Sequence, residues 1–180
     1  ARDRASAHAA FDLGASLAAP GHASFVAREE CFSYGAMMLF GKRKRIVNRI
    51  LIVEDEPLTA FDNEMTLADL GYEVVATLDR FSDAMAKLDR EPVDLILSDV
   101  RLTGERTGID LAKEARRRGV PVLFVTGDAP DNSSELVIGV LMKPYTGRTL
   151  KSALAAVDCY LSGKKARPPR GLTLFPKVEV

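Results

Sequence analysis

From residue 46 onward, short apolar runs alternate with stretches whose apolar positions recur every three or four residues. Ile50-Leu51-Ile52-Val53 is a continuous apolar run ending at acids, the pattern of a strand buried on both faces. Pro57 then opens a predicted helix with Leu58, Phe61, Met65 and Ala68 on one side, and Gly71 closes it. Val74 and Val75 lie in a second strand. Ser82 is placed to cap a second helix that packs through Phe81, Ala84, Met85 and Leu88 and stops before Pro92. Asp94 to Val100 gives a third strand, and a helix from about Gly108 to Arg118 follows it. Val122-Leu123-Phe124-Val125 makes a fourth strand and Val137 to Met142 contains a fifth. Leu150, Leu154, Val157 and Leu161 mark the last helix by their spacing.

Buried-type strands alternating with amphipathic helices predict an α/β fold, a doubly wound parallel sheet of five strands with helices on both faces. Only 16 residues separate Thr126 from Lys143, and they include the turn-rich run Asp128 to Ser134. The fourth helix is therefore expected to be shortened, displaced or disordered.

Charge changes the picture at the ends of the chain. Residues 46–161 hold 13 Lys/Arg against 20 Asp/Glu, whereas residues 1–45 hold 7 against 4 and residues 162–180 hold 5 against 1. An acidic centre repels a nucleic-acid backbone, so direct DNA binding by the central region is not expected. The Lys42 to Arg45 cluster reads as a solvated segment. Residues 1–36 show no sustained period, and Met37 and Met38 stand where a natural chain start often stands. The expected organisation is a flexible extension over 1–45, partly upstream of the native start, a domain over 46–161 and a basic tail over 162–180. Intact mass of protein from the native host checks the start. Cys31 and Cys159 match no metal-ligand spacing and are expected as reduced thiols of a cytoplasmic protein. No apolar run is long enough to span a bilayer.

In open parallel sheets, sites form beyond the carboxyl ends of the strands. Strand one ends in Glu54-Asp55-Glu56, strand three in Ser98-Asp99, strand four in Thr126-Gly127, and strand five runs into Lys143-Pro144. Glu54, Asp55 and Asp99 concentrate negative charge, which favours a hard cation, and carboxylate oxygens with waters suit Mg²⁺. Lys143 can pair with an acid or a phosphoryl oxygen, and Thr126 can donate a hydroxyl hydrogen bond to the latter. An Asp carboxylate attacks phosphorus when a metal and a lysine neutralise the developing charge.

Val53-Glu54-Asp55-Glu56-Pro57, Leu95-Ile96-Leu97-Ser98-Asp99-Val100, Phe124-Val125-Thr126-Gly127 and Met142-Lys143-Pro144-Tyr145 occur in order, each at a predicted strand end. In this, the chain resembles the response-regulator receiver domains of two-component signalling over roughly residues 47–161. The resemblance implies a flavodoxin-like sheet with strand order 2-1-3-4-5. It implies that Asp99 accepts a phosphoryl group from a histidine kinase, with Glu54, Asp55, Asp99 and the Arg101 backbone carbonyl around Mg²⁺, and with Thr126 and Lys143 binding the phosphoryl group. Many receivers carry an aromatic switch residue three positions before the lysine. Here that position is Val140, and Tyr145 reads as a packing residue with a wet hydroxyl. The segment around Phe124-Val125-Thr126-Gly127 and Lys143-Pro144-Tyr145 resembles an alphaproteobacterial single-domain subgroup with a Phe-Ala-Thr-Gly type motif and kinases of an unorthodox class, although Val125 replaces the alanine.

After Leu161 only 19 residues remain, with Pro168-Pro169 and no helix-turn-helix pattern. The expected function is a single-domain response regulator that signals by protein contact with a downstream partner or serves as a phosphoryl sink or relay. It catalyses only its own phosphotransfer and dephosphorylation. A phosphorylation-independent interaction module of the same fold is the alternative. A haloacid-dehalogenase-type phosphatase needs a second Asp two residues beyond the nucleophile, where Arg101 stands. A nucleotide-binding oxidoreductase needs a GxGxxG after the first strand, which is lacking.

Overall fold

A computed structural model describes residues 45–176. Expectations for residues 1–44, including Cys31, Met37 and Met38, lie outside the described residues. The elements run β1 (Arg49–Val53), α1 (Pro57–Asp69), β2 (Glu73–Leu78), α2 (Phe81–Leu88), β3 (Leu95–Ser98), α3 (Gly108–Arg117), β4 (Val122–Thr126), α4 (Ser133–Leu136), β5 (Gly139–Met142), α5 (Gly147–Leu161) and β6 (Leu172–Leu174). They build one sheet of order β2-β1-β3-β4-β5-β6. The first five strands are parallel, in the order 2-1-3-4-5 that the resemblance implied.

The sheet has six strands, not five, because β6 pairs antiparallel with β5: Gly139 lies opposite Leu174, Val140 opposite Thr173 and Leu141 opposite Leu172. The segment read as a tail thus joins the sheet. Two features permit it: Gly171 turns the chain at φ +91, and Gly139 has no side chain where β6 crosses. A β-carbon at Gly139 would overlap the Thr173 carbonyl oxygen and meet Leu174 Cδ2 at 2.9 Å. Three residues between Pro169 and Pro176 carry too short an alternation to announce a strand in sequence.

Alternation along the strands divides the core into two layers. Ile50, Ile52, Leu95, Leu97, Leu123 and Leu141 face α1 and α5, meeting Leu67, Leu150, Leu154 and Val157. Leu51, Val53, Ile96, Phe124 and Val140 face α2 and α3, meeting Ala84, Leu111, Ala112 and Ala115. Each fully buried Leu, Ile or Phe contributes about 1.5–3 kcal/mol, so both layers favour the same strand order.

Local details depart from the expectations. The N-cap of α2 is Arg80, not Ser82, and it makes no side-chain cap bond. In α1 the predicted apolar stripe faces solvent: Leu58 is 76%, Phe61 61% and Met65 48% exposed, while Ala60, Asn63 and Leu67 are buried. Helix α5 approaches α1 closely at one point: a β-carbon at Gly147 would stand 3.1 Å from Thr66 Oγ1. Periodicity found a stripe on the other side. Cys159 is buried in α5.

Candidate functional site

Strands β1, β3, β4 and β5 deliver polar groups to the carboxyl edge of the sheet: Glu54 and Asp55 after β1, Asp99 after β3, Thr126 at the end of β4 and Lys143 after β5. Buried apolar residues hold β1 and β3 side by side, with Val53 opposite Ser98. The next residues, Glu54 and Asp99, are therefore neighbours. Glu54 is anchored by its amide to Leu78 O at 2.8 Å, and Asp99 by its amide to Val53 O at 2.9 Å. Both carboxylates are nearly buried, whereas Asp55 is exposed. Ligand oxygens of Glu54, Asp55 and Asp99 all lie within 4.8 Å of one another.

Lys143 follows β5 and bridges the two buried acids. Its Nζ donates to Glu54 Oε1 at 2.9 Å, Glu54 Oε2 at 2.7 Å and Asp99 Oδ2 at 2.7 Å. The Lys143 amide donates to Thr126 O at 2.8 Å, which seats the lysine against the end of β4. The other Asp99 oxygen, Oδ1, accepts from the Val100 amide at 2.5 Å and the Arg101 amide at 3.3 Å. The Arg101 backbone thus stands at the cluster.

One cation between two carboxylates polarises their titration. Burial acts to raise the Asp99 carboxyl, but the hydrogen bond and charge of Lys143, with the Arg101 amide and the Thr126 hydroxyl, outweigh it and hold Asp99 below the ordinary value. Burial raises Glu54, and the neighbouring Asp99 charge adds to the rise against the opposition of Lys143. Burial acts to lower Lys143, yet its bonds to Asp99 and Glu54 prevail and raise it. The result is an ionised Asp99, a charged lysine and a Glu54 that keeps its proton to higher pH than a free glutamate does.

Thr126, buried at the end of β4, donates its hydroxyl to Asp128 O at 3.2 Å and accepts from the Asp128 amide at 3.3 Å. Val140 is buried in the α2/α3 layer. Tyr145 packs on the opposite layer, and its hydroxyl, expected to be wet, donates to Asn63 Oδ1 at 2.8 Å. Pro144 follows a cis peptide bond and is exposed. The site candidates thus meet at one rim, with Tyr145 and Val140 flanking it on opposite faces of the sheet.

Three positioning groups escaped the sequence reading. Gly108 opens α3 directly beneath Asp99, where a β-carbon would overlap the Asp99 carbonyl oxygen. Ser98 Oγ donates to that same carbonyl at 2.7 Å. Buried Asn63 receives the tyrosine. Gly108, between a capping-box threonine and an amphipathic helix, carries a signal only in being a glycine at a helix start, where an ordinary residue serves as well.

The carboxylate set fits a hard divalent cation: oxygen donors only, one of them exposed for entry, beside a lysine able to move between partners. The family model described as "Response regulator receiver domain" matches residues 50–155. The sensory transduction protein RegX3 of Mycobacterium tuberculosis is 35% identical over 116 residues, 60% of this chain and 49% of that protein. The chain therefore spans about half the length of RegX3. The chemotaxis protein CheY of Pseudomonas aeruginosa is 30% identical over 118 residues, 61% of this chain and 94% of that one. Among solved structures, the receiver domain of the sensor histidine kinase PA1611 from Pseudomonas aeruginosa has a magnesium ion in its active-site cleft. It is similar at TM-score 0.53 and 29% identity, covering 60% of this chain and 94% of that one. With the strand order and the acidic rim already in place, these matches show that the chain belongs to the response regulator receiver domain family.

Proposed function

We propose that Asp99 accepts a phosphoryl group from a phosphohistidine of a histidine kinase, in a Mg²⁺-dependent reaction, and that the chain signals by protein contact or acts as a phosphoryl sink or relay. The observation that carries this reading is the ionised Asp99 held between two backbone amides and Lys143, 2.7 Å away, at the mouth of an acidic cluster. Depression of its pKa keeps the carboxylate in the nucleophilic form.

In transfer, an Asp99 oxygen forms a bond to phosphorus while the phosphorus–nitrogen bond breaks and its electron pair returns to the imidazole. The product is an acyl phosphate. Glu54, Asp55, Asp99 and the Arg101 carbonyl are the groups that would hold Mg²⁺, which supplies charge neutralisation for the phosphoryl oxygens. Lys143 is placed to leave Asp99 Oδ2 for a phosphoryl oxygen and Thr126 to turn its hydroxyl from Asp128 O to another. Val140 has no aromatic ring to follow that turn, so any change must pass through the loop after β4. We assign the receiver to residues 46–161 with extensions on either side, and the Thr126 and Lys143 segments favour the Phe-Ala-Thr-Gly type subgroup.

Intact mass after incubation with Mg²⁺ and acetyl phosphate tests the proposal. One added phosphoryl group is expected, absent in Asp99→Asn and absent without Mg²⁺. An unlabelled wild type, under conditions that label a control receiver, leaves only the phosphorylation-independent module.

A further inference from the structure

We infer that Asn63 is a positioning residue for phosphoryl acceptance: by receiving the Tyr145 hydroxyl it fixes the turn between β5 and α5 and so aims the Lys143 ammonium at Asp99. The kinetic half rests on the phosphoacceptor reading of Asp99; the seating of Lys143 does not.

The inward side of α1 is otherwise apolar. Ala60, Asn63 and Leu67 are its buried residues, and Asn63 is only 3% exposed. A buried carboxamide costs free energy unless it is hydrogen-bonded, and a leucine of similar volume would suit the layer without that cost. What the asparagine adds is a directed bond, since its Oδ1 accepts from Tyr145 Oη at 2.8 Å. Burial raises the Tyr145 hydroxyl above its ordinary value, so it stays protonated and remains a donor.

Tyr145 lies in the turn Lys143-Pro144-Tyr145-Thr146 that joins β5 to α5. One end of the turn is held by the sheet, where the Lys143 amide donates to Thr126 O at 2.8 Å. The other end is held by the cap of α5, where Thr146 Oγ1 accepts from the Thr149 amide at 3.2 Å. Between them Pro144 is exposed, and Tyr145 packs on the α1/α5 layer. Helix α1 follows directly on Glu54 and Asp55, so the bond from Tyr145 to Asn63 ties the turn that carries the lysine to the element that carries two of the acids. Lys143 stands two residues from this anchor, and its Nζ has to reach Glu54 Oε1, Glu54 Oε2 and Asp99 Oδ2 at 2.9, 2.7 and 2.7 Å. Apolar contact is non-directional and would fill the same space without setting the orientation of the turn. A displacement of about 1 Å at a reacting group is enough to slow a reaction severalfold.

Asn63→Leu, Tyr145→Phe and the two together test this in the full chain. Each single substitution leaves a buried polar group without its partner and is expected to lower Tm, whereas the double variant replaces both partners with apolar groups and is expected to recover most of the loss. Labelling by acetyl phosphate at saturating Mg²⁺ is expected to be about three- to tenfold slower in all three variants, the double no slower than the singles. The Lys143 ammonium signal in a proton-nitrogen spectrum, assigned by its loss in Lys143→Met, is expected to move towards those of exposed lysines in all three. A double variant that regains the wild-type rate together with its stability overturns the inference and leaves the pair a structural bond. Single variants that label at the wild-type rate, or a Lys143 signal unchanged in the folded double variant, overturn it as well. A wild type that takes no phosphoryl group fails the Asp99 reading instead, and the ammonium signal still decides whether Asn63 seats the lysine.

Discussion

Lys143 serves two acids that compete for it, and their opposite shifts give opposite pH dependences. Asp99 has a depressed pKa, so its contribution to stability is present above its unfolded value near 3.8 and is lost as pH falls through the folded value. Glu54 has a raised pKa, so its contribution is present below its unfolded value near 4.5 and is lost as pH rises through the folded value. The fold therefore disfavours the charged form of Glu54 relative to the unfolded chain. Glu54→Gln is expected to raise Tm in EDTA at pH 7 by roughly 3–4 °C, about 1 kcal/mol, with the gain vanishing near pH 4. A constant gain at both pH values excludes ionisation as its cause. Lys143→Ala leaves two buried carboxylates unpaired and is expected to cost about 2 kcal/mol in denaturant unfolding at pH 7. Acidification that protonates both acids should shrink that cost.

At the scale of elements, the junctions matter more than the spans. Gly108 joins the β3 exit to α3 with no room for a methyl group, so Gly108→Ala is expected to destabilise by about 2 kcal/mol and to slow labelling of Asp99 by acetyl phosphate. A variant of wild-type stability would refute the close approach. Helix α1 begins two residues after Asp55 and presents Leu58, Phe61 and Met65 to solvent beside the acidic rim, the side from which the proposed phosphohistidine donor would approach. Phe61→Asp is expected to slow transfer from a histidine kinase at least tenfold while leaving acetyl phosphate labelling unchanged, since only the former needs a protein contact. Equal slowing by both donors argues against that contact. The same helix shows the limits of reading the chain by pattern. Strands β1, β3 and β4 were legible because both their faces are buried, so each carries a continuous apolar run with its polar residue, Arg49, Ser98 or Thr126, at one end. Helix α5 was legible from its spacing. In α1 both sides carry apolar residues, and Leu67 turns inward to join the layer formed by the strands and α5. β6 was hidden because its reason to exist, a bare edge beside a glycine, lies more than thirty residues away.

Over the whole molecule, a single sheet separates two apolar layers, and every buried strand contributes to both. Leu123→Ala, on the α1/α5 side of β4, is expected to cost about 3 kcal/mol. Far-ultraviolet and near-ultraviolet circular dichroism should still report coincident transitions. Separate transitions would show that the layers melt independently. The site was legible at this scale for the reason that the fold was: acids, hydroxyl and lysine each close a buried strand, and parallel order brings strand ends together. Its fine positioning by Ser98, Gly108 and Asn63 was not, because those contacts join residues with no common pattern.

Asp158, near the end of α5, accepts hydrogen bonds through Oδ1 from the amides of Ile46 at 2.7 Å and Val47 at 3.1 Å, which fastens the last helix to the start of β1. That clasp lies at the amino ends of the strands, and the acidic rim lies at the other. The molecule accordingly has a handle and a working end. A fluorophore or a surface tether introduced beside Ile46 would stand at the end of the sheet opposite the acidic rim, so immobilised chains should take label from acetyl phosphate, as proposed for Asp99, at the rate seen in solution.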